Sequence, residues 1–189
     1  MRIITLALAF AFSATTAADW ILQQPSSIHF LTTKNIHVTE IHSFKNFNGK
    51  INKFGYAKIN IDLNSVDTRI TVRDERMQEH LFETSTFSAA QFEADIPSAV
   101  LEQASKGVDT RYQLQGKISL HGEKAEGQSE VLISPNKNGT ITVTSITPML
   151  IDAESFALVS GINKLQEMVG LSSISHTVPL TFSLTFKED

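Results

Sequence analysis

With 189 residues, 41% of them hydrophobic, the chain is long enough for one domain with a sizeable core, and with no cysteine it does without disulfides. A formal charge of −4 makes nucleic acid and anionic lipid headgroups poor partners. There is no acidic run, internal repeat or low-complexity tract to mark a disordered tail or a second domain.

Residues 1–18 read as a leader. Met1-Arg2 is a short positive start, Ile3 to Phe12 an apolar run of ten, and Ser13 to Ala18 a small-residue spacer. That is the layout of a secretory signal peptide cut after Ala18. The apolar run is too short to span a bilayer as a helix, and nothing later in the chain reads as transmembrane. Residues 19–189 are therefore expected to be one exported domain, with a formal charge of −5 once Arg2 is gone.

Along this domain the dominant period is two. Ser27 to Lys34 and Phe47 to Phe54 read as strands. Asn35 to His42, between them, reads as one or two helical turns, and Asn48-Gly49 gives a turn signal. In Ala57 to Leu63, Ala57, Ile59, Ile61 and Leu63 point one way and Lys58, Asn60 and Asp62 the other. Thr68 to Phe82 breaks the pattern: Ile70, Met77 and Leu81 fall on one helical stripe, with Arg73 and Asp74 inside it. Thr71 and Asp74 fit a capping box, Thr71 as the N-cap. Ala90 to Ile96 is a strand.

Tyr112, Leu114, Gly116, Ile118 and Leu120 alternate with polar residues and lead into a His121-Gly122 turn. Ser129 to Ser134 is a further strand, followed by the turn Ser134 to Gly139. Thr140 to Ile151 changes phase between Val143 and Ile146, which predicts a bulge or bend. Residues 153–169 form the best helix, with the stripe Leu158, Ile162, Leu165 and Val169, a start capped by Asp152 or Ser155, and Gly170 at its end. Val178, Leu180, Phe182, Leu184 and Phe186 alternate with polar residues in the last strand. Pro179 there predicts an edge or a missing ladder bond. Eight or so antiparallel strands with few helices make a sandwich or a barrel, and a barrel of that size can hold one apolar ligand.

Catalytic signatures are sparse. His29, His37, His42, His80, His121 and His176 include no i, i+4 pair and no zinc motif, so no metal site is assigned. There is no cysteine nucleophile, nucleophile elbow or phosphate loop, and the small residues of Val159 to Asn163 read as helix packing. Asn138 to Thr140 matches a glycosylation sequon, but a turn explains Asn-Gly equally. Twelve phenylalanines stand out. Most are expected in plain core, and a subset in the wall of a cavity for a long apolar ligand. Arg73 on an apolar stripe must be paired or hydrogen-bonded. The plainer reading is a clasp pinning the helix across the barrel end, and the functional one a guanidinium at a pocket mouth.

These segments together resemble the YceI-like family of exported, lipocalin-like, polyisoprenoid-binding proteins. Ser26 to Phe30 is similar to its S-x-I-x-F opening, and Phe44 to Gly49 to its F-x-x-F-x-G. Ile61 through Phe82 is similar to its I-x-x-x-S-V-D-T-x(4)-R-D pattern, placing Ser65, Val66, Asp67, Thr68, Arg73, Asp74, Met77 and Phe82 on motif positions, with Phe87 and Phe92 beyond. Gln115 to Gly122 and Val178 to Phe186 follow the family's later strands. Departures occur at His42-Ser43 before Phe44, at Ser88 and at Arg76, and read as loop and surface changes.

The resemblance implies an all-β, antiparallel, eight-stranded lipocalin-like barrel with a long apolar interior. It implies a non-catalytic carrier, in the bacterial periplasm, of a ubiquinone-type or polyprenyl phosphate lipid. No cofactor other than that lipid, no nucleic acid and no stable membrane insertion are expected, and a homodimer is left open. The candidate cavity wall is Phe30, Phe44, Phe47, Ile59, Ile61, Phe82, Phe92, Leu114, Ile118, Phe156, Leu180 and Phe182. Asp67, Thr68, Arg73 and Asp74 form the candidate headgroup or barrel-end motif. Two other readings remain: a small enzyme acting on a lipid through Arg73, Asp74 and His37 or His42, and a scaffold whose barrel carries no ligand.

Overall fold

The computed structural model describes residues 19–189, and the leader expected over residues 1–18 lies outside them. The alternating segments join into one antiparallel sheet. Its strands are β1 (Trp20–Lys34), β2 (Val38–Phe44), β3 (Phe47–Ile51), β4 (Tyr56–Asp62), β5 (Val66–Asp67), β6 (Ala89–Asp95), β7 (Thr110–Leu120), β8 (Glu123–Pro135), β9 (Thr140–Ser145), β10 (Met149–Asp152) and β11 (Thr177–Glu188). β1 pairs with β11, from Trp20 opposite Glu188 to Phe30 opposite Leu180, and this seam closes β1, β3, β4, β6, β7, β8, β9 and β11 into an eight-stranded barrel. The Asp189 N–H donates to the Asp19 carbonyl at 2.9 Å, so the first and last described residues meet. The expected all-β, eight-stranded antiparallel barrel is the fold observed.

Both seam strands change partner part-way. β1 leaves β3 for β2, and β11 leaves β9 for β10. The phase change expected in Thr140 to Ile151 is this second switch: β9 stops at Ser145 and β10 starts at Met149. Pro179 pairs only with Leu150 of β10, just beyond Leu180, where the ladder to β1 ends.

Several local expectations are corrected. Asn35 to His42 is not helical: the chain turns through Asn35 and Ile36, both at positive φ (49° and 69°), and returns as β2. Asn48-Gly49 is not a turn but lies inside β3, where the missing side chain admits Ile59: a Cβ on Gly49 would sit within van der Waals overlap of the Ile59 Cδ1. The turn comes at Asn52, whose carboxamide oxygen accepts from the N–H groups of Phe54 (2.9 Å) and Tyr56 (3.0 Å).

The helix of Thr68 to Phe82 is real but begins differently. α1 spans Thr71–Arg76, and the extended residue before it is Ile70, with no side-chain cap. Thr71, the expected cap, is already helical. Asp74 instead reaches back past the helix start, accepting from the Thr68 N–H at 2.8 Å and its hydroxyl at 2.5 Å. The helix then widens into a π turn, Met77–Leu81, which buries Met77 and Leu81. A second helix, α2 (Ser98–Ser105), is absent from the sequence reading, although Pro97 before it and Gly107 after it are its punctuation. The helix expected over 153–169 is divided. Asp152 caps a short turn at Glu154–Phe156, Ala157 takes a left-handed φ of 54°, and α3 (Val159–Met168) follows, ended as expected by Gly170 at φ 65°.

Antiparallel order sorts the connections to two poles. α2 and the β3–β4 and β8–β9 turns lie at one; α1, α3 and the β1–β2 and β7–β8 turns lie at the other. At the second pole α3 crosses the π turn so closely that a Cβ on Gly161 would lie 2.5 Å from the His80 carbonyl oxygen and 2.9 Å from the Leu81 Cα. Both contacts are backbone and cannot swing away. Gly161→Ala is therefore expected to destabilise by about 1–3 kcal/mol, although alanine is the better helix former by ~1 kcal/mol. Urea denaturation against wild type measures it.

Candidate functional site

The barrel is hollow. It encloses a cavity of about 490 Å³, within the ~300–1,000 Å³ typical of small-molecule sites. The inward sets read from the sequence make its wall: Ala57, Ile59, Ile61 and Leu63 from β4, Tyr112, Leu114, Ile118 and Leu120 from β7, and Val178, Leu180, Phe182, Leu184 and Phe186 from β11. Gly116, inward on β7, leaves room for the Phe92 ring, whose Cζ would stand 2.6 Å from a Cβ there. The apolar stripe of α3, Leu158, Ile162, Leu165 and Val169, faces the same space. Packing the helix and lining the cavity are thus one role.

The cavity opens at the α1–α3 pole. Ile70 just before α1, Val72 within it and Val169 beyond α3 belong to its wall, yet are 47%, 50% and 50% exposed. Polar wall residues gather mainly on β1, β2 and α1: Thr32, Lys34, Glu40, His42, Arg73 and Arg76. Glu40 accepts from Lys34 (2.7 Å) and from an Arg73 terminal nitrogen (2.8 Å). The Lys34 ammonium, helped by Arg73, holds the Glu40 carboxyl below the usual carboxylate range against partial burial. The second terminal nitrogen of Arg73 donates to the Thr68 carbonyl at 2.8 Å. One guanidinium thereby ties α1 to β2 and to the loop before α1.

His42 is 4% exposed, and its Nε2 shares a 2.9 Å hydrogen bond with the Thr32 hydroxyl. Burial, reinforced by the Arg73 cation, pushes its pKa down to about 4, so the imidazole is neutral at neutral pH. Phe30 packs against it with ring centroids 5.2 Å apart and stacks on Phe44 at 5.1 Å. Among the described residues no three histidine, aspartate or glutamate side chains converge as a metal site requires.

Residues 20–186 match the family model of the YceI-like domain. The chain belongs to the YceI-like family. Among solved structures it is similar to a polyisoprenoid binding domain from Saccharophagus degradans implicated in plant cell wall breakdown: 32% identity, 92% of this chain and 99% of that one, TM-score 0.86. It shares its fold with Burkholderia cenocepacia BcnA (17% identity, 85% and 95% covered, TM-score 0.63) and with the Campylobacter jejuni YCEI protein (14%, 78% and 85%, 0.55). No curated protein matches.

In this YceI-like barrel, Phe30, Phe44, Ile59, Ile61, Phe82, Phe92, Leu114, Ile118, Leu180 and Phe182 stand on the cavity wall. Phe47 and Phe156 do not. Phe47 follows the break at Lys45-Asn46 and borders a separate shallow recess. Phe156 is buried in the turn before α3, which packs on β8. Of the four motif residues only Arg73 reaches the wall. Asp67 is bound to Lys45 (3.1 Å) and to the Arg69 N–H (2.9 Å), and Thr68 and Asp74 hold each other.

The sequence reading does not place the other polar residues on the wall: Arg76 reads as a surface change, and His42 is named only as a candidate for a catalytic role. Taking Asn35 to His42 as helical hid the strand alternation Glu40, His42, Phe44, which runs opposite Thr32 and Phe30. The departures at His42 and Arg76 are accordingly not surface changes: both face the cavity.

Proposed function

We propose that this protein is an exported, non-catalytic carrier that holds a long isoprenoid lipid inside its barrel, with the lipid's polar end at the α1–α3 pole. The observation that carries the reading is the hollow apolar barrel, open at one pole and polar mainly there. The 32%-identical relative described as a polyisoprenoid binding domain supports the same ligand class here. Each buried CH₂ contributes roughly 0.8 kcal/mol as an upper guide, against association costs of about 4–15 kcal/mol, so a few isoprene units give useful affinity. The periplasm as the site of action rests on the leader read in residues 1–18. No helix among the described residues is long and apolar enough to cross a membrane.

The non-catalytic reading is supported by how the three best candidates for acid–base work are engaged. Asp74 is held by Thr68, Arg73 by Glu40 and the Thr68 carbonyl, and His42 is neutral and bonded to Thr32. Solvent extracts of natively purified protein are expected to contain an isoprenoid by mass spectrometry. Stripped protein should take up geranylgeranyl lipids, and Leu114→Trp, which fills the middle of the cavity, should weaken uptake by about tenfold or more. Empty extracts, with equal uptake by wild type and the tryptophan variant, would sink the proposal.

A further inference from the structure

We propose that Asn138-Gly139, in the turn between β8 and β9, is a self-modifying site. Assisted by the Thr140 hydroxyl and by no enzyme, it closes to a succinimide and opens to aspartate or isoaspartate. The chain's other Asn-Gly pair, Asn48-Gly49, is held against the same reaction. The site lies at the pole opposite the mouth and does not depend on what the barrel carries.

The reaction requires the Gly139 amide nitrogen to reach the Asn138 side-chain carbonyl carbon. A bond forms between that nitrogen and Cγ, and the Cγ–Nδ2 bond breaks. Nδ2 leaves as ammonia, taking the proton of the Gly139 N–H. Water then opens the ring at either carbonyl and leaves a carboxylate where a neutral carboxamide stood. Nothing is oxidised or reduced, and solvent is the only co-reactant.

Three features favour this at Asn138. Asn138 and Gly139 are both exposed, and Gly139, at φ 73°, has nothing but its chain neighbours within 4 Å of where a Cβ would stand, so the approach is open. The Gly139 N–H makes only a long bond of 3.2 Å, to the Asn136 carbonyl, outside the β8–β9 ladder. The Thr140 hydroxyl donates to the Asn138 Oδ1 at 2.7 Å, and the Asn136 Nδ2 donates to the Thr140 hydroxyl oxygen at 2.8 Å. Thr140 thus ties the carboxamide toward the residue beyond Gly139. Its proton stands where negative charge gathers on Oδ1 as the carbonyl is attacked, and the donor behind it strengthens its pull.

Asn48-Gly49 has the opposite setting. Both residues are paired within β3, opposite Asn60 and Ile59. The Ile59 Cδ1 fills the space where a Gly49 Cβ would stand. The Asn48 Oδ1 accepts from the Asn60 Nδ2 at 3.1 Å, which ties its carboxamide to the neighbouring strand. Ring closure here must break that bond and open the β3–β4 ladder, whereas the turn at Asn138 needs no such opening.

The test incubates the folded protein in mildly alkaline buffer and follows both sites by peptide mass spectrometry, with aspartate and isoaspartate told apart by electron-transfer fragmentation. Site 138 is expected to convert about tenfold or more faster than site 48, a gap of about 1.4 kcal/mol in barrier. In urea, where neither turn nor ladder remains, the gap should close. Thr140→Val keeps the shape of the side chain and removes its hydroxyl, and should slow site 138 by about threefold or more while leaving site 48 as it was. Equal rates at the two sites in the folded protein, or a gap that persists undiminished in urea, overturn the proposal. A folded Thr140→Val protein that converts site 138 as fast as wild type overturns the part given to Thr140. The comparison of the two sites in wild type decides the proposal whether or not that variant folds.

Discussion

Phe156→Ala is expected to lower the unfolding free energy by about 3–5 kcal/mol, the range for emptying a packed aromatic site. Phe156 is 2% exposed and lies outside the cavity, so its whole ring is surrounded by protein. Phe92 makes the contrast. It is only half-buried and one side of its ring borders open cavity, so Phe92→Ala removes fewer packing contacts and should cost less. Urea titrations of the lipid-free proteins compare the two. A larger loss at Phe92 than at Phe156 would mean that the barrel is filled where it is described as hollow.

The second large effect is expected at Asp74. Removing its carboxylate leaves the Thr68 N–H, at a residue 1% exposed, without its acceptor, and leaves the Thr68 hydroxyl only the Ile70 carbonyl at 3.3 Å. An unmet buried group costs about 1–3 kcal/mol, so Asp74→Ala should destabilise by about 2–3 kcal/mol. Asp74→Asn keeps an acceptor oxygen in place and should lose about 1 kcal/mol, mainly the share due to charge. Because Arg73 donates to the carbonyl of the same Thr68, loosening this loop also loosens the arginine. Thermal melts of the two variants, read with the affinity for a geranylgeranyl lipid, separate a fold effect from a ligand effect. Equal melting of both variants and wild type would remove Asp74 from the clasp.

The barrel was legible because strand alternation has a period of two and one buried face. Val178 to Phe186 can place its apolar set inward in only one register, and that is the register formed. The interior of the cavity was legible for the same reason. Its polar end was not. Glu40 and His42 lie in a strand whose inward positions are charged or ionisable, and such a strand loses the hydrophobic contrast that reveals it. Asn48-Gly49 misled in the opposite way, since Gly49 answers to the Ile59 side chain packed above it and not to backbone twist. The start of α1 escaped because the partner of Asp74 is Thr68, six residues back, outside the spacing of a capping box. Arg73 itself was read correctly as needing partners, but only the return of β2 supplies Glu40.

The seam between β1 and β11 also has a bearing on how the protein can be handled. Asp19 and Asp189 touch at the pole opposite the mouth, and β11, with its 12 residues, spans roughly 40 Å at about 3.3 Å per residue. A surface anchor, dye or fusion partner joined at Asp189 would therefore hang from the closed base of the vessel. Lipid could still enter and leave by the opposite door, and two such proteins joined base to base would present their mouths in opposite directions.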